Sequence, residues 1–185
     1  AGVNWTLGGT NSVISTNGYT FNNIESADLV SATLTGTADS DTFNIDGDNA
    51  VTANSIAFTS VVSVDAGAGT EDAITTTESV DADLTTENNA LTASGINFTN
   101  VNSADLSLGQ LTGTDTENET FEISTASNAV TVNGMKLTSV SAIDAGSSTG
   151  DAITTTESVN AGLTAANNAL TASGINFTNV NSADL

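Results

Sequence analysis

One stretch constrains this chain more than any other: NNALTASGINFTNVNSADL runs from Asn88 to Leu106 and returns letter for letter from Asn167 to Leu185. Looser copies begin at Asn11, Asn49 and Asn128, so that related segments start at residues 11, 49, 89, 128 and 168. A near-constant step of about 40 residues marks a stacked repeat, in which each unit buries its apolar face only against its neighbours. The repeats alternate in type. LTGT with a later Phe-x-Ile follows the copies at 11 and 89, whereas DAITTTESV, identical at 72–80 and 151–159, follows those at 49 and 128. The true period is therefore 79 residues.

Thr, Asn, Val, Ile and Gly dominate, and none of them favours a helix. Period-2 alternation appears instead, in Phe43-x-Ile45, Ile96-x-Phe98, Phe121-x-Ile123 and Val80-x-Ala82-x-Leu84. Within each period an apolar residue followed by Thr or a near equivalent recurs at Val13, Leu34, Val51, Ile74, Leu91, Leu111, Val130, Ile153 and Leu170. These lie about 20 residues apart, which predicts an all-β, parallel β-solenoid of about 20 residues per coil and roughly nine coils. Residues 1–10 fit no repeat and read as an irregular N-terminal cap, with Trp5 covering the end of the core. Residues 11–185 read as the solenoid, cut in mid-repeat at Leu185. The column Asn49, Asn89, Asn128 and Asn168 reads as turn asparagines that bond neighbouring backbone.

Charge narrows the function. The chain holds 22 acidic residues against a single Lys, for a net charge of −21, and no His or Cys. Such a surface repels nucleic-acid phosphates and anionic lipid headgroups, and no apolar run approaches a membrane span. The usual catalytic triads and thiol sites are absent, and with Lys136 as the lone base the expectation is that this is not an enzyme.

Two constellations remain. In the first, residues one and three places after each inward side chain point outward along a strand. This predicts a surface ladder of Thr35, Thr37, Thr52, Thr75, Thr77, Thr92, Thr112, Thr114, Thr131, Thr154, Thr156 and Thr171, interspersed with Ser and Asn. The T-x-T array resembles the flat face of β-solenoid ice-binding proteins, and that resemblance implies ice binding as an alternative function. In the second, aspartates recur at residues 28, 65, 105, 144 and 184, some within Gly-rich acidic turns: GTADSDTF (36–43), DAGAGTEDAI (65–74), GTDTENETF (113–121) and DAGSSTGDAI (144–153). These turns resemble the Gly/Asp turns of calcium-binding RTX-type repeats and of large haemagglutinin-like bacterial surface proteins, although the nonapeptide GGxGxDxUx is nowhere intact. The resemblance implies Ca²⁺ as the candidate cofactor, with Asp41, Asp65, Asp72, Asp144 and Asp151 as candidate ligands. It also implies a secreted or cell-surface adhesive module. Its partners would be other copies of itself, stacked head to tail, or extracellular matrix and polysaccharide.

Overall fold

The computed structural model describes residues 3–185, and every regular element among them is a β-strand, with no helix. The chain opens with β1 (Trp5–Gly9), β2 (Ser12–Ser15) and β3 (Thr20–Asn22), which form an antiparallel meander, and continues into the long β4 (Ser26–Thr35). Next come β5 (Thr42–Gly47), β6 (Ala50–Ala53), the long β7 (Ile56–Asp65) and the short β8 (Ala73–Thr76). The same succession recurs as β9 (Ala82–Leu84), β10 (Leu91–Ala93), β11 (Ile96–Thr99) and the long β12 (Ser103–Thr112), then β13 (Thr120–Ile123), β14 (Val130–Val132), the long β15 (Met135–Asp144) and β16 (Ala152–Thr154). It closes with β17 (Ala161–Leu163), β18 (Leu170–Ala172), β19 (Ile175–Thr178) and β20 (Ser182–Asp184).

Pairing sorts these strands into two ladders. The front sheet runs β4–β7–β6–β5–β8–β12–β15–β14–β13–β16–β20, using the first halves of the long strands. The back sheet runs β3–β2–β1–β4–β7–β11–β10–β9–β12–β15–β19–β18–β17, using their second halves. At about 4.8 Å per strand the rod is ~55 Å long. Each ten-residue strand crosses from front to back at a bend, where the register slips and residues such as Ser31, Ser60, Leu108 and Ser139 take positive φ. One continuous apolar core fills the space between the sheets, and Phe121 of the front sheet meets Phe177 of the back sheet edge-on, with ring centroids 6.3 Å apart.

The solenoid expectation holds, but the coil size does not. Residues stacked in parallel lie about 31 positions apart, as in Thr42 on Ala73 and Ala27 on Phe58, which gives about six turns rather than nine of about 20 residues. All nine residues read as inward-facing are buried. They are nine rungs but not nine turns, because the middle strand of each meander runs backwards between its neighbours. The tight turns that reverse the chain are Asn54–Ser55, Ser94–Gly95, Asn133–Gly134 and Ser173–Gly174, with φ between 47° and 82° at all eight residues. Paired positive φ values characterise the type I′ hairpin turn, which Asn-Gly and similar pairs favour. The 79-residue period has a geometric origin: successive meanders sit alternately on the back and front sheets, so two 40-residue steps are needed to return to the same side.

The recurring asparagines act between meanders. Asn11, Asn49, Asn89, Asn128 and Asn168 all adopt left-handed backbone with φ of 53–58°, which Asn tolerates better than most residues. The Asn49 side-chain amide donates to the carbonyls of Val61 (2.9 Å) and Gly95 (3.0 Å), and Asn128 does the same to Val140 (2.8 Å) and Gly174 (3.2 Å). Each clasp thus grips the hairpin turn of the next meander on the opposite sheet. Within residues 1–10, read as an irregular cap, the structure places β1. Trp5 packs on the core and on Phe21, with ring centroids 5.4 Å apart, and residues 1–2 lie outside the described residues.

Candidate functional site: threonine rows and buried acidic columns

The threonines do not form one face. Thr52, Thr75, Thr131 and Thr154 lie on the front sheet, and Thr35, Thr92, Thr112 and Thr171 on the back. Within each sheet they are separated by other side chains. Across the front sheet the register reads Ala57, Thr52, Asn44, Thr75 in one row and Lys136, Thr131, Glu122, Thr154, Asp184 in another. Across the back it reads Asn97, Thr92, Asp83, Thr112, Asp144, Thr178. Hydroxyls therefore alternate with carboxylates and amides, and some are spent on them: Thr52 donates to Asp46 Oδ2 at 2.6 Å and Thr171 to Asn176 Oδ1 at 3.0 Å. Thr77 and Thr156 lie beyond their strands and are exposed, while Thr37 and Thr114 turn toward buried acids.

Those acids are the most unusual chemistry in the molecule. Four acidic side chains, Asp41, Asp72, Glu119 and Asp151, are at most 4% exposed. Each stands one residue before a front-sheet strand, where the chain crosses over from the back sheet. They stack in two columns, Asp41–Asp72–Asn102 and Glu119–Asp151–Asn181, in which each side chain accepts the backbone N–H of the residue one turn earlier. Asp41 N–H donates to Asp72 Oδ1 (2.8 Å) and Asp72 N–H to Asn102 Oδ1 (2.8 Å). Glu119 N–H donates to Asp151 Oδ1 (3.0 Å) and Asp151 N–H to Asn181 Oδ1 (2.9 Å). At the head of each column a threonine donates through both its N–H and its hydroxyl, Thr37 to Asp41 Oδ2 and Thr114 to Glu119 Oε1. These bonds satisfy loop N–H groups that no ladder reaches, which explains why a carboxylate is tolerated there.

The second oxygens are not satisfied. Asp72 Oδ2, Glu119 Oε2 and Asp151 Oδ2 are buried with no hydrogen-bond donor. Glu119 and Asp151 are stacked neighbours, joined through the Glu119 N–H. Burial pushes the Glu119 carboxyl above its ordinary range, the Thr114 donors pull it back, and Asp151 raises it again. Asp72 is likewise raised, first by burial, and then by the charges of Asp41 and Asp65 against the lowering effect of the Asp41 N–H.

Of the five candidate calcium ligands, Asp41, Asp72 and Asp151 enter these columns, and Asp65 and Asp144 do not. Asp65 Oδ1 accepts Gly67 N–H (3.1 Å) and the Asn100 amide (2.8 Å), and Asp144 Oδ1 accepts Gly146 N–H (3.1 Å) and the Asn179 amide (2.6 Å). Asp28 and Asp105 bond the N–H two residues on in the same way, at the bends of β4 and β12, so this recurring aspartate is a turn cap. Sequence reasoning missed Glu119. GTDTENETF is one residue longer than GTADSDTF, and counting back from the phenylalanine instead aligns Glu119 with Asp41. Calcium takes six to eight oxygens. Each column offers one or two uncommitted carboxylate oxygens, and among the described residues no three metal-ligating acids converge. The donor set does not fit a calcium ion.

Fold and site together define a class, an acidic β-solenoid repeat protein with buried carboxyl columns at its crossovers. Compared with known proteins, the chain matches no family model, no curated protein and no solved structure.

Proposed function

We propose that this chain is a non-enzymatic structural and adhesive module of a secreted or cell-surface repeat protein, of the kind its acidic Gly/Asp turns resemble, and that it builds an extracellular fibre by end-to-end stacking. One observation carries the reading. The two ladders run the full length of the rod over a single core, so that each turn is covered by a like turn stacked on it. Long faces of alternating Thr, Asn and Asp suit repeated weak contacts with polysaccharide or matrix, whose summed strength grows with the number of turns. A net charge of −21 disfavours nucleic acid and anionic membrane surfaces as partners.

Electron microscopy and sedimentation of the pure protein test this proposal. Fibres of constant width, with sedimentation rising with concentration, are expected. A monomer at every concentration that also binds no polysaccharide would overturn it. Ice binding, the alternative reading of the threonines, has less support, because amides or acids interrupt the hydroxyl rows on both sheets; an ice-recrystallisation assay of Thr75→Tyr and Thr154→Tyr against the parent is its test.

A further inference from the structure

Two loops on one edge of the rod carry the chain from the front sheet to the back, residues 76–81 and 155–160, and both begin with TTESV. Each is held in the same shape. The Thr76 hydroxyl donates to the Glu78 carbonyl (2.9 Å) and accepts the Glu78 N–H (3.3 Å), and Thr155 does the same with Glu157 (2.9 and 3.0 Å). Between each loop and the hairpin turn of a neighbouring meander lies a recess. The first, of about 270 Å³, is lined by Ile45, Val80, Thr77, Glu78, Ser79 and Ser94. The second, of about 380 Å³, is lined by Val159, Thr125, Ser127, Ser158, Asn160 and Ser173. Ser79, Val80 and Ser94 of the first correspond to Ser158, Val159 and Ser173 of the second, 79 residues on. The first lies well inside the rod. Its loop already carries the next strand, β12, with Ser107 Oγ donating to the Thr76 carbonyl (2.8 Å) and Gln110 N–H to Asp81 Oδ1 (2.8 Å), and the recess is open all the same.

We infer that the two recesses are twin binding sites for the neutral sugar rings of a polysaccharide. The inference rests on the adhesive reading above and names its site and class of ligand. Val80 and Val159 pack on the core and give each recess an aliphatic floor, while the rim is made of exposed hydroxyls with Glu78 in one and Asn160 in the other. A pyranose matches that pattern, because its C–H face can cover the valine while its hydroxyls bond to the rim. The lining also disfavours other ligands. No cationic side chain lines either recess and the whole chain is acidic, so a uronate or a sulfated sugar meets repulsion. No aromatic ring lines either, so a nucleobase has nothing to stack on. In the second recess the Glu157 carboxylate is tied to the Thr125 N–H (3.1 Å) and hydroxyl (3.0 Å), which leaves neutral groups to meet the ligand. The loops follow β8 and β16, five strands apart on the front ladder, or ~24 Å at about 4.8 Å per strand. One polymer can therefore engage both, and its apparent affinity exceeds that of either recess alone.

The test is affinity electrophoresis of the full chain in native gels containing dextran, hydroxyethylcellulose or polygalacturonate. Ser79→Leu and Ser158→Leu, singly and together, place a longer apolar side chain over the floor and remove a rim hydroxyl. Both serines are exposed, so the urea midpoints should stay at the wild-type value and show that the variants fold. The expected result is retardation of wild type by at least one neutral glucan and not by polygalacturonate. Each single variant should lose roughly tenfold in apparent affinity, and the double variant all measurable retardation. Equal retardation of wild type and the double variant overturns the recesses as the site, yet keeps the adhesive reading with the sugar held elsewhere on the rod. Retardation by polygalacturonate as strong as by the glucans overturns the assignment to neutral rings. No retardation of wild type by either glucan overturns the sites outright, and fibres seen by electron microscopy would then leave the stacking reading standing alone.

Discussion

Replacing Glu119 by glutamine should make the protein more stable at neutral pH, a result seldom expected of a buried, hydrogen-bonded acid. The Glu119 Oε1 acceptor role toward Thr114 survives in glutamine. The Oε2 atom, buried with no donor, becomes an N–H₂ that can donate to the unsatisfied Oδ2 of Asp151, its neighbour in the column. One contact between like charges becomes one charge-assisted hydrogen bond. A hydrogen bond to a charged group is worth about 1.5–3 kcal/mol and an unsatisfied buried acceptor costs about 1–3 kcal/mol. Glu119 lies beneath a loop rather than in the apolar core, so the lower end applies, a gain of about 1–2 kcal/mol at pH 7. The sign with pH follows from linkage. A carboxyl raised in the fold above its ordinary value of 4.5 holds a proton that the unfolded chain has already lost. Wild-type stability from this group is therefore lowest above the folded pKa, rises as pH falls through it, and levels off below 4.5. The advantage of Glu119→Gln should shrink accordingly between pH 7 and pH 4.5. Urea titrations of both proteins at the two pH values measure it. A variant that is less stable than wild type at pH 7 refutes the argument that the raised Glu119 carboxyl costs stability and points to a cation beside it. EGTA would then lower the wild-type midpoint, whereas the proton account expects no change.

Other consequences are more direct. Asn49→Ala loses two hydrogen bonds and puts a Cβ-bearing residue without a polar side chain at φ 55°, so a loss of about 2–4 kcal/mol is expected in urea. Asn49→Gly removes only the hydrogen bonds and should lie about 1 kcal/mol above the alanine variant. Leu84→Ala should cost about 2–4 kcal/mol and its twin Leu163→Ala less than about 0.5 kcal/mol, a contrast that denaturation of the two variants reads directly.

What could be read from the residues was the alternation of side chains, and what could not was the direction of travel. Val51 or Leu91 followed by threonine announces a strand with one inward face, and all nine such positions are buried. The pattern is the same for a strand that advances along the rod and one that doubles back. The distinction lies in two-residue turns such as Ser94–Gly95 and Asn133–Gly134, which form hairpins but read equally well as turns between successive strands of one advancing coil. The same oversight spread the threonine ladder over one imagined face instead of two sheets. Asp28, Asp65, Asp105 and Asp144 are turn caps, while Asp41, Asp72 and Asp151 enter the buried columns, and Glu119 was hidden by a single inserted residue. Leu163 carries a different lesson, since no local signal separates it from Leu84: the next strand alone decides its burial.

The backward strands also change how the rod bears load. In an ordinary solenoid each turn touches only its neighbours, and the chain can peel from an end one turn at a time. Here β19, later in the chain, pairs with β15 toward the middle, while β17, earlier in the chain, lies outermost. Tension at Leu185 therefore strips β20 from β16 and then reaches β19 while β18 and β17 still cover it, and the meander must give way as a unit. The asparagine clasps, which tie residues 46 apart in sequence, couple that unit to the next. Pulling single molecules by their ends should extend the chain in steps of about 40 residues, ~140 Å at about 3.5 Å per residue. Steps of about 31 residues, ~110 Å, would mean that turns and not meanders are the cooperative units, and the mechanical case for a stalk would lose its basis.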